Sequence, residues 1–460
     1  MTAPPPGAPG APGKGQVAPP ASPSPFTPPD GAWCANHALP ADRCRRTTSP
    51  ADGALTAMLE ARSVALVGAS ARPGSLGARM VAEVARSPSR PRTYLVNPRY
   101  AEIGGVACLP SLADVPEPVD LVLLGVPDSV LAEQLDLAAR TCARSAVIFS
   151  NAADPPGMHG LRDRLAATAR HAGMAVCGAG CMGFVNVAAG LRAVGYAEPD
   201  PLPAGPVALV THSGSVFSAL LRARRGFGFT VAVSSGQELV TTAAAYARYA
   251  LALPQTRVLA LVLEAIREPA ELRAVLGEAQ ARDVPVVLLS AGASAAGKAL
   301  VTAHSGALAA ADGAWQALAR RYGVHRVRDL AELADTLELF SAGRRAAAPA
   351  GIATVHDSGL ERAHIADLAA DLAVPFTAIA AATRDRLAAV LDPGLEPGNP
   401  LDVWGTGRDT ETLLTECLSA LACDPAVAAV ALAVDLVPEF DGDESYPRAV
   451  LGAAAQTPKP

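Results

Sequence analysis

The sequence predicts an α/β protein, with a Rossmann-like domain followed by two flavodoxin-like doubly wound domains. Three observations carry this. Short apolar runs of strand length alternate with helix-period stretches. Several of those runs end in turns of Gly, Ser and other small residues that lead into a helix. Finally, two segments rhyme. "VALVTHSGSVFSALL" and "IATVHDSGLERAHIADLAADL" both read strand, polar turn ending in Ser-Gly, helix, with serines at Ser213 and Ser358. That separation is far too long for a solenoid repeat and suits two copies of one domain-sized unit.

The elements follow in order. Residues 1–53, rich in Pro, Ala and Gly, read as a disordered tail without the basic start and apolar centre of a signal peptide. Residues 54–197 hold the first domain. "SVALVGAS" is a strand entering a glycine turn, "ARMVAEVARS" a helix and "TYLVNP" a strand. "VDLVLLGVP" and "SAVIFSNAA" are further buried strands on either side of the helix "SVLAEQLDLAARTCA". "AEPDPLPAGP" is a linker by composition. Residues 206–345 form the second domain, with strands "VALVTHSG", "TVAVSSG", "RVLALVLEAI" and "PVVLLSAG". Residues 350–460 start a third, which reaches "TPKP" where another strand would be due; the chain is expected to be a fragment of a longer polypeptide.

Composition narrows the class. The 460 residues suit about three domains. Half of them are apolar and 4% aromatic, and the net charge is −6. With no basic tract carrying interleaved aromatics, a nucleic-acid partner is not expected. No run approaches the roughly 18 uncharged apolar residues of a membrane span, so a cytoplasmic location is expected. The eight cysteines, at 34, 44, 108, 142, 177, 181, 417 and 423, form no CxxC pair. They read as free thiols in a reducing compartment, with no metal site.

Three stretches could carry chemistry. In "VGASARPGSLG", Gly68, Gly74 and Gly77 let the backbone approach a phosphate at a helix N-terminus. Ser70 and Ser75 add hydroxyls, and Arg72 can pair with phosphate oxygens. The plain alternative is a tight turn that needs small residues. The next strand ends in Asn97, Pro98 and Arg99, where a dinucleotide-binding domain would place an acid for the ribose. A cationic end disfavours NAD and favours a ligand with an extra phosphate, such as coenzyme A. Val126 and Pro127 end the following strand at the same edge.

The second stretch is "LVLEAI", which puts Glu264 at a strand end. It is either a carboxylate reaching water or one that orients a histidine by accepting its ring N–H. The third is "KALVTAHSGALAAADGAW". Ser305 and Gly306 follow His304, and "ALAAADGAWQALARRYG" reads as a helix, so His304 is expected in the turn that opens it. There the free N–H groups and the dipole suit a phosphoryl group. Ser213 and Gly214 in "THSG" read as a second such helix start.

The order of Gly-Ala-Ser turn, "VNP", "VP", "GAGCMG", "HSG", "SSG", "LEAI" and "AHSGAL" resembles the nucleoside-diphosphate-forming acyl-CoA synthetases. This superfamily includes ADP-forming acetyl-CoA synthetase and the alpha subunit of succinyl-CoA synthetase. The likeness runs from about Leu55 to the C-terminus and is most specific over Gly297–Leu333. It implies an acid–CoA ligase in which His304 carries a phosphoryl group and Glu264 steadies it, with Ser213, Gly214, Ser305 and Gly306 around the phosphate. Coenzyme A would lie on Gly68–Gly77, Asn97–Arg99 and Val126-Pro127. A carboxylic acid is the other substrate. ATP and ADP with Mg2+ would act on an ATP-grasp domain that this sequence lacks, on another subunit or a missing C-terminal part, and the assembly is expected to be oligomeric. The sequence departs from the family in "GAGC", where Ala179 and Gly180 replace Pro and Asn, in Ala265, and in "SSGQ". A CoA-binding regulatory module without catalysis is the alternative. An NAD-dependent dehydrogenase shares only the sheet.

Overall fold

The computed structural model describes residues 50–460 apart from 155–158, 306–311, 348–350, 375, 407–408 and 436–441. The chain divides into two compact units, the first ending at Ser341 and the second spanning Ala342–Pro460.

The first unit opens with helix α1 (Pro50–Leu59), so residues 50–53 of the expected tail are helical, and residues 1–49 lie outside the described residues. The reason lies in the spacing: Ala54 with Met58 and Leu55 with Leu59 are i,i+4 pairs on one face, and all four are buried. The first sheet contains β1 (Ser63–Val67), β2 (Arg92–Val96), β3 (Glu102–Ile103), β4 (Val106–Leu109), β5 (Leu121–Leu124), β6 (Ser145–Ile148) and β7 (Ala175–Gly178). Its order is β3-β4-β2-β1-β5-β6-β7, parallel except where β3 meets β4. Helices α2 (Leu76–Ala85), α3 (Asp128–Arg140) and α4 (Leu161–Ala172) connect its strands. β1, β5 and β6 are buried at every position, as continuous apolar strands between two helical layers must be.

The second sheet contains β8 (Gly183–Asn186), β9 (Leu191–Val194), β10 (Ala204–Thr211), β11 (Phe229–Ser234), β12 (Val258–Leu263), β13 (Val286–Ser290) and β14 (His325–Val327), in the order β14-β13-β12-β10-β11-β8-β9. α5 (Gly214–Leu221), α6 (Ala243–Ala252), α7 (Pro269–Ala281), α8 (Ala295–Ser305), α9 (Asp312–Tyr322) and α10 (Leu330–Ser341) accompany it. Here the fold differs from a division drawn at 197. The hairpin β8–β9 precedes that point but pairs antiparallel with β11 of the second sheet. The composition break marks the end of the hairpin, not the boundary between the sheets. Nor is 197–206 a plain linker: Glu198 is buried, accepting from Ser218 Oγ at 2.6 Å and Arg222 Nε at 2.9 Å.

A buried ion pair ties the two sheets together. Arg192 on β9 donates through Nε to Glu83 Oε2 on α2 at 3.0 Å, and both side chains are 2% exposed. Of the cysteines, 108, 177, 181, 417 and 423 are free, whereas Cys142 is in a disulfide, a departure from the all-thiol expectation.

The second unit holds β15 (Gly351–His356), β16 (Leu401–Asp402) and β17 (Val427–Leu432) with α11 (Gly359–Asp371), α12 (Ala381–Ala388), α13 (Thr410–Cys423) and α14 (Ser445–Ala454). The sheet is parallel, in the order β16-β15-β17. Its core is Val355, Leu387, Leu401, Leu414, Cys417 and Leu421. The rhyme between the strand–Ser-Gly–helix segments holds in outline: β10 leads through Ser213 into α5, and β15 through Ser358 into α11. Among the described residues, no helix is long and apolar enough to cross a membrane.

Candidate active site

In both sheets of the first unit the first parallel strand in the chain is central, with neighbours added on either side, so a crevice opens at its carboxyl end. In the first sheet that strand is β1. The turn after it packs closely. Gly68 has φ +90°, and a Cβ there would lie 2.4 Å from the Gly125 carbonyl oxygen. A Cβ on Gly77 would lie 2.1 Å from the Gly68 oxygen, so α2 approaches β1 as only glycine permits. Ser75 caps α2, its Oγ accepting from Ala78 N at 3.2 Å. Ser70 Oγ accepts from Arg72 N at 3.1 Å, and Asn97 Nδ2 donates to the Ala69 carbonyl at 2.7 Å. Arg72, Pro98 and Arg99 are exposed, as is Gly74, which has φ +75°. Val126 is half-buried beside Gly68, and Pro127 precedes α3. All the residues predicted for CoA therefore gather at one strand-end edge. A capped helix start, a glycine cradle and two exposed guanidinium groups fit a phosphate-bearing ligand there.

The second edge is built on β10. Ser213 is the N-cap of α5, accepting from Val216 N at 3.3 Å, so the helix start predicted at Ser213-Gly214 is present. Glu264 directly follows β12, half-buried at the strand end, and among the described residues its carboxylate has no hydrogen-bond or ion-pair partner. The expectation for His304 is corrected. Its backbone is helical within α8 (Ala295–Ser305) rather than in a turn ahead of a helix. The Ala-rich "AAGKALVTAHS" has enough helix propensity to continue through it. Ser305 is likewise helical in α8, and Gly306 lies outside the described residues.

The two edges meet. Gln237 N donates to the Ala179 carbonyl at 2.8 Å, Leu239 N to Gly178 at 2.9 Å, and Gly178 N to Ser235 at 3.2 Å. Gly236 fits because a Cβ would come within 2.2 Å of the Ala179 oxygen. The segments "GAGC" and "SSGQ" thus form one interlocked corner.

Sequence reasoning missed a second histidine. His212, the residue after β10, has a side chain only 7% exposed. Its Nδ1 accepts the Glu264 backbone N–H at 3.1 Å, and its Nε2 is 3.0 Å from Glu238 Oε1. Glu238 is buried, has φ +53° and also accepts from Ser235 Oγ at 2.9 Å. The available signal was the "HSG" that "THSG" shares with the His304 segment, of which only the Ser-Gly was used. Burial holds the nearby Cys181 thiol well above its ordinary range, with Cys177 adding to the effect, so it is not a nucleophile at neutral pH.

A Rossmann-like sheet with a phosphate-type cradle is thus locked to a flavodoxin-like sheet with a strand-end carboxylate, a pairing of CoA-binding and flavodoxin-like folds. Family comparison agrees. Residues 62–187 match the CoA binding domain family, and residues 204–340 match the succinyl-CoA ligase like flavodoxin domain. The chain thus carries the CoA-binding and succinyl-CoA-ligase-like flavodoxin domains, as the nucleoside-diphosphate-forming acyl-CoA synthetases it resembles do.

Among similar proteins, a trans-feruloyl-CoA synthase from an unknown prokaryotic organism is 28% identical over 394 residues, 82% of this chain and 54% of the relative. An ADP-forming acetate–CoA ligase of Methanocaldococcus jannaschii is 26% identical, covering 75% of this chain and 48% of its own. An alpha subunit of ADP-forming acetate–CoA ligase II from Pyrococcus furiosus is 25% identical over 83% of this chain and 82% of its own. The chain spans about half the length of the first two. In fold it is similar to acetyl-coenzyme A synthetase 1 of Ca. Korarchaeum cryptofilum, with a TM-score of 0.78 at 20% identity over 88% of both chains.

Proposed function

We propose that the chain is the alpha-type portion of an ADP-forming acid–CoA ligase. The observation that carries this reading is the interlocked corner at Gly178–Gly180 and Ser235–Leu239. It joins, in one compact unit, an edge suited to the phosphates of coenzyme A and an edge carrying Ser213 and Glu264. A thiol and a phosphoryl carrier both need to reach one acyl group, and this arrangement supports that.

In the synthetic direction, His304 receives the γ-phosphoryl group of ATP at an ATP-grasp domain, on another subunit or in a further segment, where Mg2+ is required. It passes the phosphoryl to the carboxylate, giving an acyl phosphate and freeing the ring nitrogen. The CoA thiol then attacks the acyl carbon, and inorganic phosphate leaves. A carboxylate is a poor electrophile, and phosphorylation supplies its leaving group. Histidine suits the relay because its neutral nitrogen is nucleophilic near pH 7. Glu264 would accept the other ring N–H of His304, and the α5 start at Ser213-Gly214 would face the moving charge. The reading includes a cytoplasmic, oligomeric enzyme.

The half-reaction nearest CoA needs no ATP-grasp part, so it supplies the test. The chain is incubated with 32P-labelled phosphate and either acetyl-CoA or feruloyl-CoA. Phosphate displaces CoA, and the resulting acyl phosphate passes its phosphoryl to His304 and releases the acid. Base-stable, acid-labile label on wild type and none on His304→Asn is the expected result. Label that persists on His304→Asn overturns the relay. An unlabelled wild type that still binds CoA favours a binding module without catalysis.

A further inference from the structure

We infer that His212 is the positioning residue of Glu264, a role that rests on the function just proposed for that carboxylate. His212 ends the central strand of its sheet, with β11 on one side and β12 on the other. One imidazole ring reaches both neighbours. Its Nδ1 takes the N–H of Glu264, the residue after β12, at 3.1 Å. Its Nε2 lies 3.0 Å from Glu238 Oε1 in the turn after β11.

The two bonds fix the tautomer. A nitrogen that accepts an N–H must present a lone pair, so Nδ1 is unprotonated. The ring proton then sits on Nε2 and is donated to Glu238. Glu238 is held for this: its carboxylate also accepts from Ser235 Oγ, and its backbone occupies the left-handed region, which a non-glycine residue adopts only when its surroundings dictate it. Neither ring nitrogen of His212 is left as a nucleophile, so the ring orients rather than carries phosphate.

The backbone just before Glu264 is tied as well. His212 N donates to Val262 O at 3.0 Å and Ala291 N to Leu263 O at 3.1 Å. The Glu264 amide would otherwise be an unpaired donor at a strand end. With His212 in place, the α-carbon of Glu264 is fixed while its carboxylate remains without a partner among the described residues.

A structural explanation, in which His212 only neutralises and packs against the buried Glu238, predicts a different outcome for two conservative variants. Asn at 212 places its amide oxygen where Nδ1 sits and gives up Glu238. Gln at 212 reaches Glu238 and gives up the Nδ1 position. We compare wild type, His212→Asn, His212→Gln and His212→Ala in two measurements. The first is hydrogen exchange at the Glu264 amide. The second is phosphohistidine labelling from 32P-labelled phosphate and acyl-CoA, with the rate and the acyl-CoA dependence separated.

The expected result is that His212→Asn keeps slow exchange at Glu264 and labels within about threefold of wild type. His212→Gln and His212→Ala should exchange the Glu264 amide at least about tenfold faster and label at least about tenfold more slowly, at unchanged half-saturation by acyl-CoA. Equal rescue by Gln and Asn, or wild-type exchange at Glu264 in the Ala variant, overturns the assignment. If the wild type does not label at all, the ligase reading fails, and the amide measurement still decides what His212 holds.

Discussion

Arg192 and Glu83 face each other across the junction of the two sheets of the first unit, with Arg192 Nε 3.0 Å from Glu83 Oε2. Arg192 also donates to the carbonyls of Pro199 and Glu198, so its guanidinium is satisfied although buried. Removing one partner leaves the other charge buried with only a half-exposed partner, Arg86 for Glu83 at 2.9 Å and Asp200 for Arg192 at 3.6 Å. Glu83→Leu or Arg192→Met should each lower the unfolding free energy by up to about 3–5 kcal/mol, and the paired change Glu83→Leu with Arg192→Met by less than either. Urea unfolding of the four proteins checks this. A double variant that loses the sum of the single effects would show that the pair is not coupled.

The glycine cradle sets the second expectation. Since a Cβ on Gly77 would meet the Gly68 carbonyl oxygen at 2.1 Å, Gly77→Ala must push α2 away from β1. Calorimetry should find CoA binding weakened by at least about tenfold, as one misplaced set of phosphate contacts warrants. Arg99→Glu should act in the same direction without disturbing the fold, because Arg99 is exposed. Binding unchanged in both would place CoA elsewhere.

Glu264 should matter to turnover far more than to folding. It is a half-buried strand-end carboxylate, so Glu264→Gln should move the melting temperature little. Losing one charge-assisted hydrogen bond to the ring of a phosphohistidine is worth about 1.5–3 kcal/mol, which slows labelling roughly ten- to a hundredfold. Full labelling in the variant would return Glu264 to an ordinary strand-end role.

The second unit should be acid-sensitive through His356. This residue is 1% exposed, and burial holds its imidazole below the ordinary value of 6.5, against opposing pulls from the Ala433 backbone, Asp402 and Asp357. Its folded pKa is lowered, so as pH falls below 6.5 the unfolded chain takes up the proton first and the fold loses stability. The loss continues until the folded imidazole itself titrates, with a slope of at most about 1.4 kcal/mol per pH unit. Hydrogen exchange in α13 as a function of pH reads this, and His356→Gln should flatten the profile. A slope that survives the substitution would assign it to other groups.

What the sequence disclosed, and what it hid, follows from range. β1, β5 and β6 were legible because strands covered on both faces must be apolar throughout. Glu264 and Ser213 were legible because a polar residue just past such a run has to lie at the strand end. The pairing of β8 and β9 with β11 was not, since antiparallel partners so far apart leave no local mark. The His212–Glu238 contact was hidden for the same reason: it joins the ends of two strands through side chains. At His304 the difficulty was local, because Ala-rich sequence on both sides favours helix and blurs where one helix stops.

The β8–β9 hairpin also bears on how the chain is made. During synthesis it leaves the ribosome before β11, the strand with which β8 pairs, has been translated. Until Phe229–Ser234 emerges, the hairpin's pairing edge stays open to any other extended segment. A gene fragment ending at Ala197 would make that exposure permanent, encoding the CoA-type sheet together with two strands that belong to its neighbour. The two halves of the first unit are therefore not interchangeable cassettes, and a chimaera that swaps one of them must move the hairpin with β11.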